Sequence, residues 1–375
     1  MFVIPSFAIG GVTSSLYAFL SLIDKEKYDV YLFCRNHTGP LKETFEKCCT
    51  VIPENIWLSV CIVEGCWLRN ICCLVLRCFR GVLGKLGVNL YPIYGSIGGK
   101  QIGSKKYDVV VSFHEGLSPI VCFYPAKRHI AWIHCDYRRY LDAVGRKELR
   151  EYALYDKIIC VSEFVKNIFS DIYPSVADKV FALHNVVDKN LIYQKAKENI
   201  NDLRFDSSCF TIVSIGRLDP VKQFERIPAI AAEIKRLAKN RPFKWYIIGG
   251  SRGFADAESR IKSDINERHL NDTVILLGEK NNVYPYLAKA NLLVCTSLSE
   301  SFPMVVQEAK ALNIPVVSNN FPSVFETIED NVNGIITNID TMPKAILRVI
   351  NGNLTMNDNA YNMKNELEKF QLLFD

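Results

Sequence analysis

No Asp-x-Asp pair occurs anywhere in this chain, its cysteines follow no metal-ligand spacing, and no apolar run reaches the ~20 residues that a bilayer span needs. A strong excess of one charge is lacking too. Lysine and arginine number 45 against 40 aspartates and glutamates, and a net charge of +5 without a clustered basic face gives no reason to expect nucleic acid as a partner. Nor does a cleavable secretory leader precede the first strand-like run, FVIPSF, so a reduced, cytoplasmic setting is the expectation.

What the chain has is length and apolar content. At 375 residues and 49% hydrophobic it exceeds one ordinary core, which predicts two domains. Of its 13 cysteines, seven (Cys48, Cys49, Cys61, Cys66, Cys72, Cys73 and Cys78) crowd one stretch, where cysteine behaves as a small hydrophobe. That stretch includes VCIVEGCWLRNICCLVLRCFRGVLGKLG, which Glu64, Arg69, Arg77 and Arg80 interrupt. It has two readings. One is a core helix packed on a sheet. The other is peripheral membrane contact through residues 60–86, with Trp67, Leu68, Phe79, Val82 and Leu83 in the headgroup region and Arg69, Arg77, Arg80 and Lys85 against anionic lipid.

Elsewhere, short β-branched runs alternate with longer amphipathic ones, the pattern of parallel strands joined by crossover helices. The pattern occurs twice. FVIPSF, DVYLFC, DVVVSF, HIAWIH and KIIC are the strand candidates of the first half, and FTIVSIG, KWYIIGG, TVILLG, LLVCTS and PVVSN those of the second. This predicts an α/β protein of two Rossmann-like, doubly wound domains facing a central cleft. Residues 1–187 form the first domain, 188–208 a polar connector, 209–356 the second domain, and 357–375 a helix packing back toward the first. Ligands of such sheets bind outside the carboxyl ends of the strands.

Three motifs fall at those ends. FVIPSF runs into Gly10 and Gly11, where backbone N–H groups could approach a phosphate at a helix start, although a tight turn alone would also explain the pair. SIGRLDPVK sets Arg217 just past a strand and Lys222 five residues on, two cations suited to a diphosphate, with surface ion pairing as the plain alternative. The third is SESFPMVVQEAKALNIPVV, with Glu300 and Glu308 eight positions apart. Here Ser301 is the expected N-cap, Pro303 the first-turn residue, and Phe302, Val305, Val306, Ala309 and Leu312 the buried stripe. Free N–H groups at that terminus would hold a phosphate. Carboxylates ~12 Å apart along the helix axis would accept bonds from sugar hydroxyls on either side of it.

The order of GRLDPVK, ESFPMVVQE, PVVSN and FETIEDNVNGII, with VSEF and HNVVD before the connector, resembles the retaining GT-B glycosyltransferases of family 4 over nearly the whole chain. The resemblance implies a nucleotide-diphosphate sugar as donor, with Gly10, Gly11, Arg217, Lys222, Glu300, Ser301, Phe302, Pro303, Met304, Val305 and Glu308 around it. Arg217 and Lys222 would hold the diphosphate, Glu300 the sugar hydroxyls and Glu308 the ribose. His134, in AWIHCDY, falls where the family has a cleft histidine touching the transferred sugar. His114, which could instead cap the next helix, Glu115 and Asp136 are acceptor-side candidates. Catalysis is assigned to His134, Arg217, Lys222 and Glu300, with no cofactor and no metal; the leaving phosphate would take the acceptor's proton and the anomeric configuration would be retained.

This sequence departs from the family pattern at several loops. Gln223 stands where glycine commonly follows the lysine, Pro303 where glycine often follows the phenylalanine, and Asn313 where glycine often precedes the IPVV strand. The sugar and the base therefore stay open. The expected acceptor is a lipid-linked or polysaccharide precursor of bacterial envelope or capsule synthesis, met in the cytoplasm at the inner membrane face. Two alternatives remain: a non-catalytic GT-B subunit stabilising a partner transferase, and a sugar-nucleotide epimerase.

Overall fold

The computed structural model describes residues 1–37, 39–53, 75, 78–79, 81–84, 86, 88–102, 107–144, 150–238, 241–251, 254, 256–352 and 364–375. They form two units, Met1–Val186 with Lys364–Asp375, and Val187–Met363.

The first unit holds a seven-stranded sheet in the order β3-β2-β1-β4-β5-β6-β7, every neighbour parallel. Its strands are β1 (Phe2–Ser6), β2 (Tyr31–Asn36), β3 (Thr50–Ile52), β4 (Tyr107–Ser112), β5 (Ala126–Ile133), β6 (Lys157–Cys160) and β7 (Val180–Ala182). The central strands carry buried apolar side chains with many Val and Ile among them, as parallel strands covered on both faces do. Aromatic rings fill one side of this core. Phe19 stacks on Phe370 at 4.3 Å, Trp132 sits 5.7 Å from Phe19, and Phe113 4.7 Å from Trp132. Phe370 comes from the helix Lys364–Gln371, which thus belongs to the first unit although the chain reaches it after the second. Glu366 of that helix accepts the His184 amide at 3.0 Å.

In the second unit six parallel strands run β10-β9-β8-β11-β12-β13. They are β8 (Phe210–Ile215), β9 (Phe243–Ile248), β10 (Val274–Gly278), β11 (Leu292–Cys295), β12 (Val316–Asn319) and β13 (Ile335–Thr337). A polar relay crosses the apolar interior. Buried Trp245 donates its indole N–H to Ser214 at 3.0 Å, and Ser214 donates to the Val294 carbonyl at 2.7 Å, so three neighbouring strands are tied through two side chains. This satisfies an indole nitrogen that burial would otherwise leave unpaired.

The polar stretch 188–208 contains a helix, Lys189–Ala196, capped by the Asp188 carboxylate, which accepts the Leu191 amide at 3.0 Å. Ile192 packs with Val187 and Ala311, so this segment is built into the second unit. Of the cysteine-rich stretch, Trp67, Leu68, Arg69, Arg77, Arg80 and Lys85 lie outside the described residues. Val75, Phe79 and Val82 are exposed at 60%, 56% and 59%, which does not fit a core helix packed on the sheet. Residues 353–363 also lie outside the described ones.

Candidate active site

In the second unit, the loops after β8, β11 and β12 converge on one ion pair. Lys222 donates from Nζ to Glu300 Oε1 at 2.6 Å, both side chains less than one-fifth exposed (19% and 16%). Burial disfavours the Lys222 ammonium, but the acidic groups around it, Glu300 foremost and Asp219 among them, together outweigh burial and hold the pKa above its ordinary value. Ser297 donates to the same Glu300 oxygen at 2.6 Å, and Ser323 donates to the Glu300 carbonyl, also at 2.6 Å. Asn319 in turn donates to the Ser297 carbonyl at 2.9 Å. The acid is therefore fixed from three loops before any ligand arrives.

The lysine is held as firmly. Thr296 donates to the Lys222 carbonyl at 2.6 Å, the Leu298 amide to the Val221 carbonyl at 2.8 Å, and Asp219 accepts the Lys222 amide at 3.1 Å. Its stem folds over Gly216, where an added Cβ would stand 3.1 Å from Lys222 Cε. Behind it, a Cβ on Gly249 would meet the Gly216 carbonyl oxygen at 1.7 Å, and φ there is +154°, so only glycine fits. Arg217 differs. Its side chain is 71% exposed and touches Asp219 at 3.1 Å, leaving most of the guanidinium open to solvent.

Glu308 lies in the helix Met304–Ala311 and accepts the Tyr284 hydroxyl at 3.0 Å. Burial pushes its carboxyl above the usual range. The helix starts later than the sequence implies: its N-cap is Pro303 and no side chain caps it, so Ser301 is not the cap. Proline's fixed φ suits this boundary, and Glu300 and Ser301 remain in the preceding loop. The axial spacing worked out for two helical glutamates thus does not apply. Phe302 and Pro303 are buried while Met304 and Val305 are half-buried, so this loop offers a ligand its backbone more than its rings.

In the first unit, Gly10 precedes the helix Gly11–Leu22 with φ 179°, an extended conformation open to any residue, and a Cβ there would meet nothing within 4 Å. Neither strain nor packing inside the protein explains the glycine, which removes the tight-turn reading for Gly10. His134 follows β5. Its ring lies 4.7 Å from that of Phe113, and its Nε2 is buried without a partner. Burial lowers its pKa to about 3 against the opposing pull of Glu115, so the ring is neutral at pH 7.

The neighbouring acids and histidine have internal duties. His114 caps the short turn Glu115–Leu117, its Nδ1 accepting the Gly116 amide at 3.0 Å, which puts any neutral-ring proton on Nε2. Glu115 is buried and accepts the His134 amide at 3.2 Å; burial alone would raise its carboxyl, yet His114 beside it and the backbone and Cys135 hydrogen bonds it accepts bring the pKa below the ordinary value. Asp136 accepts the Arg138 amide at 3.1 Å and faces Arg139 at 3.9 Å. Sequence reading missed Ser297, Asn319, Ser323 and Tyr284. The first three share a signal that could have revealed them, a small polar residue within a few positions of a strand's carboxyl end.

Two family models match the chain. "Glycosyltransferase Family 4" covers residues 9–191 and "Glycosyl transferases group 1" covers 195–370. The amylovoran biosynthesis glycosyltransferase AmsK of Erwinia amylovora is 32% identical over 133 residues, 33% of this chain and 31% of its own. The UDP-Gal:alpha-D-GlcNAc-diphosphoundecaprenol alpha-1,3-galactosyltransferase of Escherichia coli is 26% identical over 221 residues, 56% and 53% of the two chains. Matches to the curated relatives span about half of their length. Among solved structures, Anabaena HepE in complex with UDP and glucose superposes with a TM-score of 0.65 at 18% identity, covering 100% of this chain and 93% of its own. The lipopolysaccharide outer core galactosyltransferase WaaB gives 0.63 at 16%, covering 100% and 96%.

Proposed function

Because the chain belongs to the GT-B glycosyltransferases, we propose that it moves a sugar from a nucleoside-diphosphate donor to a hydroxyl acceptor with retention of anomeric configuration. One observation carries this reading: a lysine and a glutamate locked together at the carboxyl ends of β8 and β11, the charge pair that a sugar diphosphate would enter. Lys222 and the more open Arg217 would draw off the charge that grows on the leaving phosphate, being fixed beforehand rather than reorganised in the transition state. Glu300 would accept from sugar hydroxyls. Glu308, with Tyr284, would take the ribose, and a neutral His134 with a free buried nitrogen would bond a sugar hydroxyl without adding charge. The acceptor hydroxyl attacks from the face the phosphate leaves, and its proton passes to that phosphate.

Relatives acting on diphosphoundecaprenol-linked sugars and in amylovoran biosynthesis support a lipid-linked or polysaccharide acceptor. Exposed Val75, Phe79, Val82 and Leu86 support peripheral contact with an anionic membrane surface. No helix among the described residues is long and apolar enough to cross a membrane. Co-sedimentation with anionic but not neutral liposomes is expected, and absence of binding to both removes the surface contact.

The function is tested by mass spectrometry of products from UDP-, GDP- and ADP-sugars with a panel of lipid acceptors. A new glycosidic bond is expected; an altered free sugar would mean an epimerase, and no product a non-catalytic subunit. Lys222→Ala should slow transfer by ~10² to 10³, as loss of one preorganised donor does. Arg217→Ala should have an effect of similar direction, and Glu308→Ala should chiefly weaken donor binding. Near-normal turnover in both cation variants defeats the reading.

A further inference from the structure

We propose that Cys48 and Cys49 form a vicinal-dithiol clamp that takes a soft, thiophilic centre, specifically trivalent arsenic presented as an organoarsenical oxide. Both sulfurs are drawn to one atom: each thiol lies 3.3 Å from the Phe45 carbonyl oxygen. That oxygen also receives the backbone N–H groups of Cys48 and Cys49, each at 3.0 Å. Two amide donors and two sulfurs gathered around one oxygen turn the two side chains to the same side of the chain, where adjacent residues in an extended segment would point apart.

The platform beneath them is rigid. Phe45 is fully buried, its ring 5.7 Å from those of Phe7 and Tyr17. The thiols themselves are only half-buried, so a small reagent can reach them. The hydrogen bond from Cys49 outweighs burial and, with the nearby charge of Lys25, holds the Cys48 thiol below its ordinary pKa, while Cys49 is pushed up. One sulfur is thus the readier nucleophile and the second follows.

Among the described residues no group of three or more His, Cys, Asp or Glu side chains could hold a metal ion, and what the described residues offer here is two sulfurs. A centre satisfied by two sulfurs suits that pair. In the reaction R–As=O plus two thiols gives R–As(S-Cys)₂ plus water. Two S–H bonds and the arsenic–oxygen bond break, two As–S bonds form, both protons leave on the oxygen, and arsenic stays trivalent, so neither oxidant nor reductant is required. The site is independent of the transferase reading.

Phenylarsine oxide added to the full chain in equimolar amount provides the test, followed by excess monothiol, proteolysis and mass spectrometry. Cys72 and Cys73, a second adjacent pair outside the described residues, are replaced by serine in a parallel sample. One adduct is expected on the peptide carrying Cys48 and Cys49 in both samples, resistant to monothiol and released by 2,3-dimercaptopropanol. Cys48→Ser or Cys49→Ser should each weaken binding by about 100-fold, because the second bond is then lost from an intramolecular closure. An adduct mapping elsewhere in the unaltered chain, or a single serine variant that keeps a monothiol-resistant adduct on that peptide, overturns the proposal.

Discussion

His134 couples the candidate chemistry to pH. A ring whose pKa is lowered to about 3 in the folded chain, against an ordinary 6.5, stays neutral while the unfolded chain takes up a proton. The sign follows directly. Above pH 6.5 neither state binds the proton and stability does not change on this account; as pH falls from 6.5 toward 3 the unfolded state gains, at up to about 1.4 kcal/mol per pH unit. Replacing the ring by an uncharged amide should remove that slope. Unfolding free energies from urea titration of the unaltered protein and of His134→Gln, compared at pH 7 and pH 5, should therefore diverge by up to about 2 kcal/mol in their pH dependence. Parallel curves would mean that the ring is solvated and charges in place. Glu115 enters this balance as the buried carboxylate facing both histidines, which is why the comparison must be between variants and not across pH alone.

At the scale of elements, two of the departures from the family pattern land on the same backbone conformation. Gln223 has φ 55° and Asn313 φ 57°, both left-handed, and both stand where glycine is common. A side chain there costs roughly 1–2 kcal/mol, of which the greater chain entropy of glycine recovers part, and asparagine tolerates the region better than glutamine. Gln223→Gly should accordingly raise the thermal midpoint of the second unit by about 2 °C to 4 °C, the shift expected for up to ~1 kcal/mol in a domain of this size, and Asn313→Gly by less. A lower midpoint for Gln223→Gly in calorimetry would show that the Gln223 bond to the Pro220 carbonyl outweighs the strain. All ten strands read from the sequence are present, since burial in a parallel sheet writes short apolar runs rich in β-branched and aromatic residues. The three that were not read, TVI of β3, VFA of β7 and IIT of β13, are three-residue edge strands, too short for any period to emerge. Lys222 and Glu300 were legible as types at strand ends. Their pairing was not, because 78 residues separate them and only the sheet order β8-β11 makes those ends neighbours. The Ser301 cap failed for a local reason, the fixed φ of Pro303 two positions on.

For the whole molecule, the consequential feature is that the first unit is discontinuous in sequence, closed by a helix that follows the second. The helix Lys364–Gln371, within the 357–375 segment expected to pack toward the first domain, contributes Phe370, whose ring stacks on Phe19 and also lies 6.3 Å from Phe2 and 6.1 Å from Trp132. A fully buried ring removed from such a cluster costs about 3–5 kcal/mol. The loss should fall on the first unit. In Phe370→Ala, amides of β1 and β5 that exchange only by opening of that core should speed up by about 10²- to 10⁴-fold, while those of β8 and β11, whose core is separate, keep their rates. The helix Met342–Ile350, nearer in sequence yet packed in the second core, should also be unmoved. If β8 and β11 accelerate as much as β1 and β5, the two cores open as one cooperative body and the division into units has no thermodynamic meaning.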